Sequence, residues 1–208
     1  MWGGAEDSRD EIGAVMRPRG ATRRARRSAL TGCLLLILAA LLGAYLASHP
    51  GPDALDRWES SNIAAHYHSG LLVAIAKVGD PSIVGIGGIV GALLLLRRDS
   101  RRAAACLVGP LLGGVLTEYV LKPLVDPRAG GLTFPSGHTD GVSALVVVAM
   151  LALSRPWQWG IVSLGAVLEL ASCYAVIALG WHSPTDALAG LAVGTGSVLL
   201  ADGVLHSF

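Results

Sequence analysis

A chain of 208 residues that is 52% hydrophobic, with mean hydropathy +0.57 and formal net charge +1, is too apolar for an ordinary soluble domain. The near-neutral total hides an asymmetry. Arg17, Arg19, Arg23, Arg24, Arg26 and Arg27 crowd the N-terminus, Arg97, Arg98, Arg101 and Arg102 recur mid-chain, and Lys77 and Lys122 are the only lysines. No P-loop, dinucleotide fingerprint, internal repeat or nucleic-acid motif is present, so a nucleic-acid partner is not expected.

In chain order, residues 1–28 are polar and Arg-rich and read as a disordered cytoplasmic tail. The apolar run from Leu30 to Ser48 is long enough to span a bilayer. No A-x-A cleavage signal follows it, so it reads as a retained first helix. Segment 49–80 is broken by His49-Pro50-Gly51-Pro52, by charges and by Gly79-Asp80-Pro81; within it Leu71–Val78 suits the membrane interface. Six spans are expected, at about 29–48, 81–97, 103–121, 139–154, 160–180 and 187–205. The fold class is therefore all-α, a transmembrane bundle in residues 29–208.

Orientation follows from arginine placement. The Arg97–Arg102 corner and Arg155 fall on the side of the N-terminal tail, which the positive-inside rule makes cytoplasmic, with both termini there. Lys122, Arg128, His138 and His182 then lie outside. Trp157 and Trp159 mark the inner interface, Trp58 and Trp181 the outer one. Gly87/Gly91 and Gly190/Gly194 have the small-xxx-small spacing that lets helices approach closely. Cys33, Cys106 and Cys173 sit in apolar segments without paired spacing and read as packing residues, not disulfides or metal ligands.

Two histidines stand at loop-to-helix junctions, in Phe134-Pro135-Ser136-Gly137-His138 and Trp181-His182-Ser183-Pro184-Thr185-Asp186. Ser183 can cap the following helix, with Pro184 in its first turn. Asp186 can reach back to one ring nitrogen of His182, fixing the tautomer and leaving the other as a free lone pair. Such an imidazole is a nucleophile towards phosphorus. Gly137 permits an unusual turn, after which the amides of Ser136–His138 can gather on an anion at a helix N-terminus. His138 suits a general acid that becomes a base on water in a second step. Lys122 and Arg128 can neutralise a transferring phosphoryl group, and Glu118, four residues before Lys122, is its expected ion-pair partner. Asp80 and Asp140 read as helix-start residues, Asp126 as a turn residue, and His49, His66 and His68 as solvated loop residues.

The order Lys…Arg, then Pro-Ser-Gly-His, then His-x-x-x-Asp resembles the type 2 phosphatidic acid phosphatase (PAP2) superfamily of integral-membrane lipid phosphatases, over about residues 70–200. The resemblance implies a six-helix bundle and metal-free hydrolysis of a lipid phosphate or pyrophosphate at the outer membrane face, with no cofactor. It makes His182 the residue that becomes a phosphohistidine, Asp186 its orienter, and His138 the acid and base. Lys122 and Arg128 hold phosphate, helped by Ser136 and Gly137. The expected partners are the lipid-phosphate substrate and membrane lipids. Polyprenyl pyrophosphate, phosphatidic acid and phosphatidylglycerol phosphate are the candidate substrates.

The pattern departs from the family in two places. Five residues, not six, separate Lys122 from Arg128, and Ala129 follows where the family has proline. Val176 occupies the position six before His182 where the family usually carries arginine, and no arginine lies in 156–208. These departures keep alternatives in view: a phosphotransferase with an acceptor other than water, or a relative that binds a lipid phosphate without turning it over.

Overall fold

A computed structural model describes residues 19–49, 51, 54–63, 69–129 and 134–207; the side chains of 19–21, 56, 59–61, 126–129 and 155 lie outside the description. The described residues are all-α: α1 (Arg19–Ser48), α2 (Ala54–Asn62), α3 (Gly70–Ala76), α4 (Pro81–Leu95), α5 (Ser100–Val115), α6 (Lys122–Ala129), α7 (Gly137–Ala152), α8 (Gln158–Ala178) and α9 (Pro184–Leu205). A short 3₁₀ turn, Lys77–Gly79, joins α3 to α4, and a π-helical stretch, Leu116–Leu121, joins α5 to α6.

The first helix starts ten residues before the expected boundary, at Arg19 rather than 29. Its arginines and alanines are good helix formers, and its inner turns have something to pack on. Ala25 is buried, Gly203 of α9 lies against Ala29, and Ser28 Oγ donates to Asp202 Oδ2 at 3.1 Å. The remaining tail, residues 1–18, lies outside the described residues.

Among the described residues, four helices are long and apolar enough to cross a membrane: Thr22–Ser48, Ser100–Val125, Gln158–Ala178 and Pro184–Leu205. A fifth span exists if Gly70–Gly79 and Pro81–Leu95, bent by 49° at Asp80, count as one. Their length and composition suit a multi-pass membrane protein. The expected six spans are not reached by length: α7 has 16 residues, about 24 Å at 1.5 Å per residue, short of a roughly 30 Å hydrocarbon core. Helix α7 is also the inner one, with α4, α5, α8 and α9 packed around it. Leu71–Val78, expected in the interface, is instead the first limb of the bent pair and packs on α8.

Outward faces remain apolar. Leu34, Ile37 and Leu41 of α1, Ile86, Ile89 and Leu93 of α4, and Leu164, Val167 and Leu170 of α8 are all exposed, as lipid-facing side chains should be. Inside, small residues replace bulk, as membrane helix contacts require. The α9 helix lies so close to α1 and α7 that a Cβ at Gly190 would strike Thr139 Oγ1 and the carbonyl of Ser136, and one at Gly194 the carbonyl of Asp140. Gly87 and Gly91 likewise face Leu145 and Val148 of α7. The packing role expected for both glycine pairs therefore holds. Cys106 is fully buried in the core between α4, α5 and α7, and all three cysteines are free thiols.

The two ends of the bundle differ in charge. Arg24, Arg27 and Ser28 of α1, Gln158 of α8 and Asp202 of α9 line one cavity of about 420 Å³ at the end where α7 and α9 finish. Arg102, which begins α5, lies 3.4 Å from Asp99 and 3.7 Å from Asp202, and His206 reaches both aspartates at 3.4 Å. His138 and His182 stand at the opposite end, where α7 and α9 begin.

Candidate active site

Each site residue is placed by a helix terminus. Helix α8 ends in a Schellman motif: Gly180, at φ +66°, donates its N–H to Ile177 O at 2.9 Å, and Trp181 N–H donates to Val176 O at 3.0 Å. The same Val176 carbonyl accepts His182 N–H at 3.3 Å. The turn hands the chain to Ser183, the cap of α9, which forms a capping box. Asp186 N–H donates to Ser183 Oγ at 3.3 Å, and Ser183 N–H donates to Asp186 Oδ2 at 3.0 Å.

That box shapes the His182–Asp186 pair. His182 Nδ1 lies 3.6 Å from Asp186 Oδ2, with both side chains 10% exposed or less. The distance is too long for a hydrogen bond, and buried Nδ1 has no hydrogen-bond partner among the described residues. Asp186 therefore stands beside the ring, as its spacing suggests, while spending Oδ2 on the cap.

Ser136 caps α7, its Oγ accepting from Thr139 N–H at 3.5 Å. It is fully buried, and its own N–H donates to Asp186 O at 3.0 Å. Thr139 Oγ1 sits between the carbonyls of Ser136 and Ala187, at 3.2 and 3.0 Å. Ser136 thus ties the start of α7 to the start of α9, which fixes the two histidines relative to each other. With Ser136 committed, and with Asp140 N–H given to Ser136 O, the amides of Gly137 and His138 are left facing out of the helix start among the described residues. Gly137 is helical, without the unusual backbone expected of it. Its use is space: a Cβ there would lie 3.1 Å from Glu118 Oε1.

The rings of His138 and His182 meet edge to face with centroids 6.2 Å apart, and Trp181 flanks His138 at 5.3 Å. Lys122 arrives from the other side. Its Nζ bonds Glu118 Oε1 at 2.6 Å, the expected ion pair, and its charge is near enough to act on His138. Arg128 is not in a loop but in α6, because the π-helical stretch keeps the chain helical past Lys122. The Arg128 side chain lies outside the described residues, as do the Asp126 side chain and His66 and His68.

Three residues escaped the sequence reading. Asp80 Oδ1 lies 3.4 Å from His138 Nε2. Asp140, expected only to complement a helix dipole, is buried and accepts from Thr117 Oγ1 at 2.9 Å, anchoring the π-helical stretch to α7. Trp181 was read as an interfacial aromatic, but it lines the site. Position 176 is also explained: Val176 is fully buried in an apolar cluster with Ala76, Ala175, Ile177, Leu179 and Ala187. Helix α3 packs against the same cluster through Leu72, Val73 and Ala76.

Paired histidines thus stand at two abutting helix starts, with a lysine nearby and apolar helices around them. In the comparison with protein families, the model of the PAP2 superfamily matches residues 116–203. The matched stretch, from the π-helical turn to the last turn of α9, carries Lys122, Arg128, His138, His182 and Asp186. Members of the family are generally phosphatases, which sets the chain among phosphoester hydrolases at that coarse level. Neither the curated proteins nor the solved structures gave a match.

Proposed function

We propose that the protein hydrolyses a lipid phosphate or pyrophosphate at the extracytoplasmic face of the plasma membrane through a phosphohistidine, without a metal or other cofactor. The observation that carries this reading is the approach of His138 and His182 at one end of the bundle, beside an apolar groove. The groove, about 480 Å³, runs between α4, α5 and α7 from Glu118 and Gly137 at the site to Val84, Ile89, Leu107 and Leu111 deeper in the bundle. The hydrocarbon chain of a substrate whose phosphate sits at the helix start can lie in this groove out of water. The arginine-bearing corners at the opposite end support an outward-facing site.

In the first step His182 Nε2 attacks phosphorus and the bond to the leaving oxygen breaks. His138 gives that oxygen its proton. In the second step His138 takes a proton from water, the water oxygen attacks the phosphohistidine, and the P–N bond breaks to release inorganic phosphate and His182. Lys122, Arg128 and the amides of Gly137 and His138 hold the phosphoryl oxygens as their charge grows. Asp186 steadies the imidazolium side of His182.

A second reading rests on one observation. Apolar packing fills position 176, so a phosphate ligand the family usually has is missing, and a lipid-phosphate binder with weak turnover fits that loss. The test is phosphate release by purified protein in detergent with EDTA, against polyprenyl pyrophosphate, phosphatidic acid and phosphatidylglycerol phosphate. Release that vanishes in His182→Ala supports the hydrolase. Binding without release supports the second reading, and lipid consumption without inorganic phosphate points to a phosphotransferase.

A further inference from the structure

Asp80 stands at the N-cap of α4, yet its side chain makes no cap hydrogen bond. An aspartate at that position ordinarily accepts from the first-turn amides. Here only its backbone serves the helix, with Asp80 N–H donating to Lys77 O and Asp80 O accepting from Val84 N–H, both at 3.0 Å. The carboxylate is left to face His138, with Oδ1 at 3.4 Å from Nε2.

That approach is built into the backbone. The Lys77–Gly79 turn docks on the start of α7 so tightly that a Cβ at Gly79 would strike the carbonyl of His138, and one at Gly141 the carbonyl of Gly79. Two glycines, one on each side, thus seat Asp80 beside the ring. The other charged or titratable groups acting on His138 are His182 from the turn before α9, Lys122 from the start of α6 and Glu118 from the π-helical stretch. Glu118 is taken up by Lys122 at 2.6 Å. Asp80 is the carboxylate that meets the ring directly, and it comes from outside the segment matched to the family.

We propose that Asp80 is the positioning partner of His138: it holds the ring by Nε2 and stabilises the protonated ring that must give its proton to the leaving oxygen. This rests on the acid role given to His138 above. A carboxylate within ion-pair distance favours the charged form of a histidine, so removing it makes His138 release its proton at lower pH.

The test is an NMR titration of the chain with ¹³C-labelled histidine in detergent, the His138 signal being assigned by its loss in His138→Gln. Asp80→Asn is nearly isosteric and breaks no cap bond. Its expected effect is a fall in the His138 midpoint of about one pH unit, with His206 at the far end unmoved. An unmoved His138 midpoint overturns the proposal. The pH profile of lipid-phosphate hydrolysis is the second readout. In Asp80→Asn the alkaline limb of kcat is expected to move down by the same amount at unchanged KM, with partial return in Asp80→Glu. A shifted midpoint with an unchanged profile also overturns the positioning role. If wild type hydrolyses none of the phosphates tested, the hydrolase reading falls, while the titration still decides whether the pair exists.

Discussion

Lys122 Nζ lies 2.6 Å from Glu118 Oε1, and the same carboxylate oxygen overhangs Gly137 at the start of α7. Glu118 therefore occupies the neighbourhood that the phosphoryl oxygens need. In the proposed mechanism the substrate displaces it, taking over the ammonium and the amides of Gly137 and His138. Glu118→Gln removes the competitor without removing bulk. The expected result is a KM lower by about two- to fivefold, the equivalent of an exposed ion pair worth up to ~1 kcal/mol. Lys122→Met is expected to cost about ten- to a hundredfold in kcat/KM, the loss of one charge-assisted hydrogen bond of roughly 1.5–3 kcal/mol. Steady-state phosphate release measures both.

His182 and Asp186 separate chemistry from architecture. His182→Ala is expected to abolish turnover while the melting temperature in detergent stays within a few degrees, because the ring makes no hydrogen bond that holds the fold. Asp186→Asn keeps an oxygen for the capping box but loses the charge beside Nδ1. Its expected signature is a kcat down by roughly ten- to a hundredfold at near-normal stability. Asp186→Ala adds the loss of the cap, about 1 kcal/mol, and a lower melting temperature.

The histidines and their aspartate were legible in the sequence because capping chemistry is local. Ser183, Pro184 and Asp186 declare a helix start within four residues, and Ser136 declares another. The contacts that complete the site were not legible, because they join distant parts of the chain. Asp80 meets His138 only after a 3₁₀ turn docks on α7, and nothing in Gly79-Asp80-Pro81 announces more than a bend. The π-helical stretch that carries Lys122 and keeps Arg128 in a helix has no periodicity signal of its own; it is held by Thr117 on Asp140. The expected span at α7 is short of the bilayer thickness for a related reason. A helix enclosed by its neighbours need not match the bilayer thickness.

Val176→Arg tests whether the missing family arginine can be restored. Position 176 is fully buried among apolar side chains, so a guanidinium there is desolvated without a partner. The expected outcome is loss of stability on the order of 3 kcal/mol or more, read as a sharply lower melting temperature, and no gain in hydrolysis. A stable variant with raised kcat/KM would show that the apolar cluster opens to let the side chain reach the phosphate.

The arginine-bearing end of the bundle carries its own pH signature. Burial raises the Asp99 carboxyl, but the Arg102 N–H, the His206 ring and the Arg102 guanidinium outweigh it and hold the group below its ordinary value of 3.8. A carboxyl lowered in the folded state contributes stability that is fully present above 3.8 and is lost as pH falls through the lower folded value. The same cluster ties Asp202 of α9 to Ser28 of α1 and to Arg102 of α5. Asp99→Asn is therefore expected to lower the melting temperature at neutral pH and to flatten its fall on acidification below pH 4. Asp202→Asn, which leaves Arg102 half-paired, is expected to destabilise more. Neither is expected to change KM, since the cluster lies at the end of the bundle away from His138 and His182. Thermal unfolding in detergent across that pH range, with hydrolysis assayed alongside, measures both expectations.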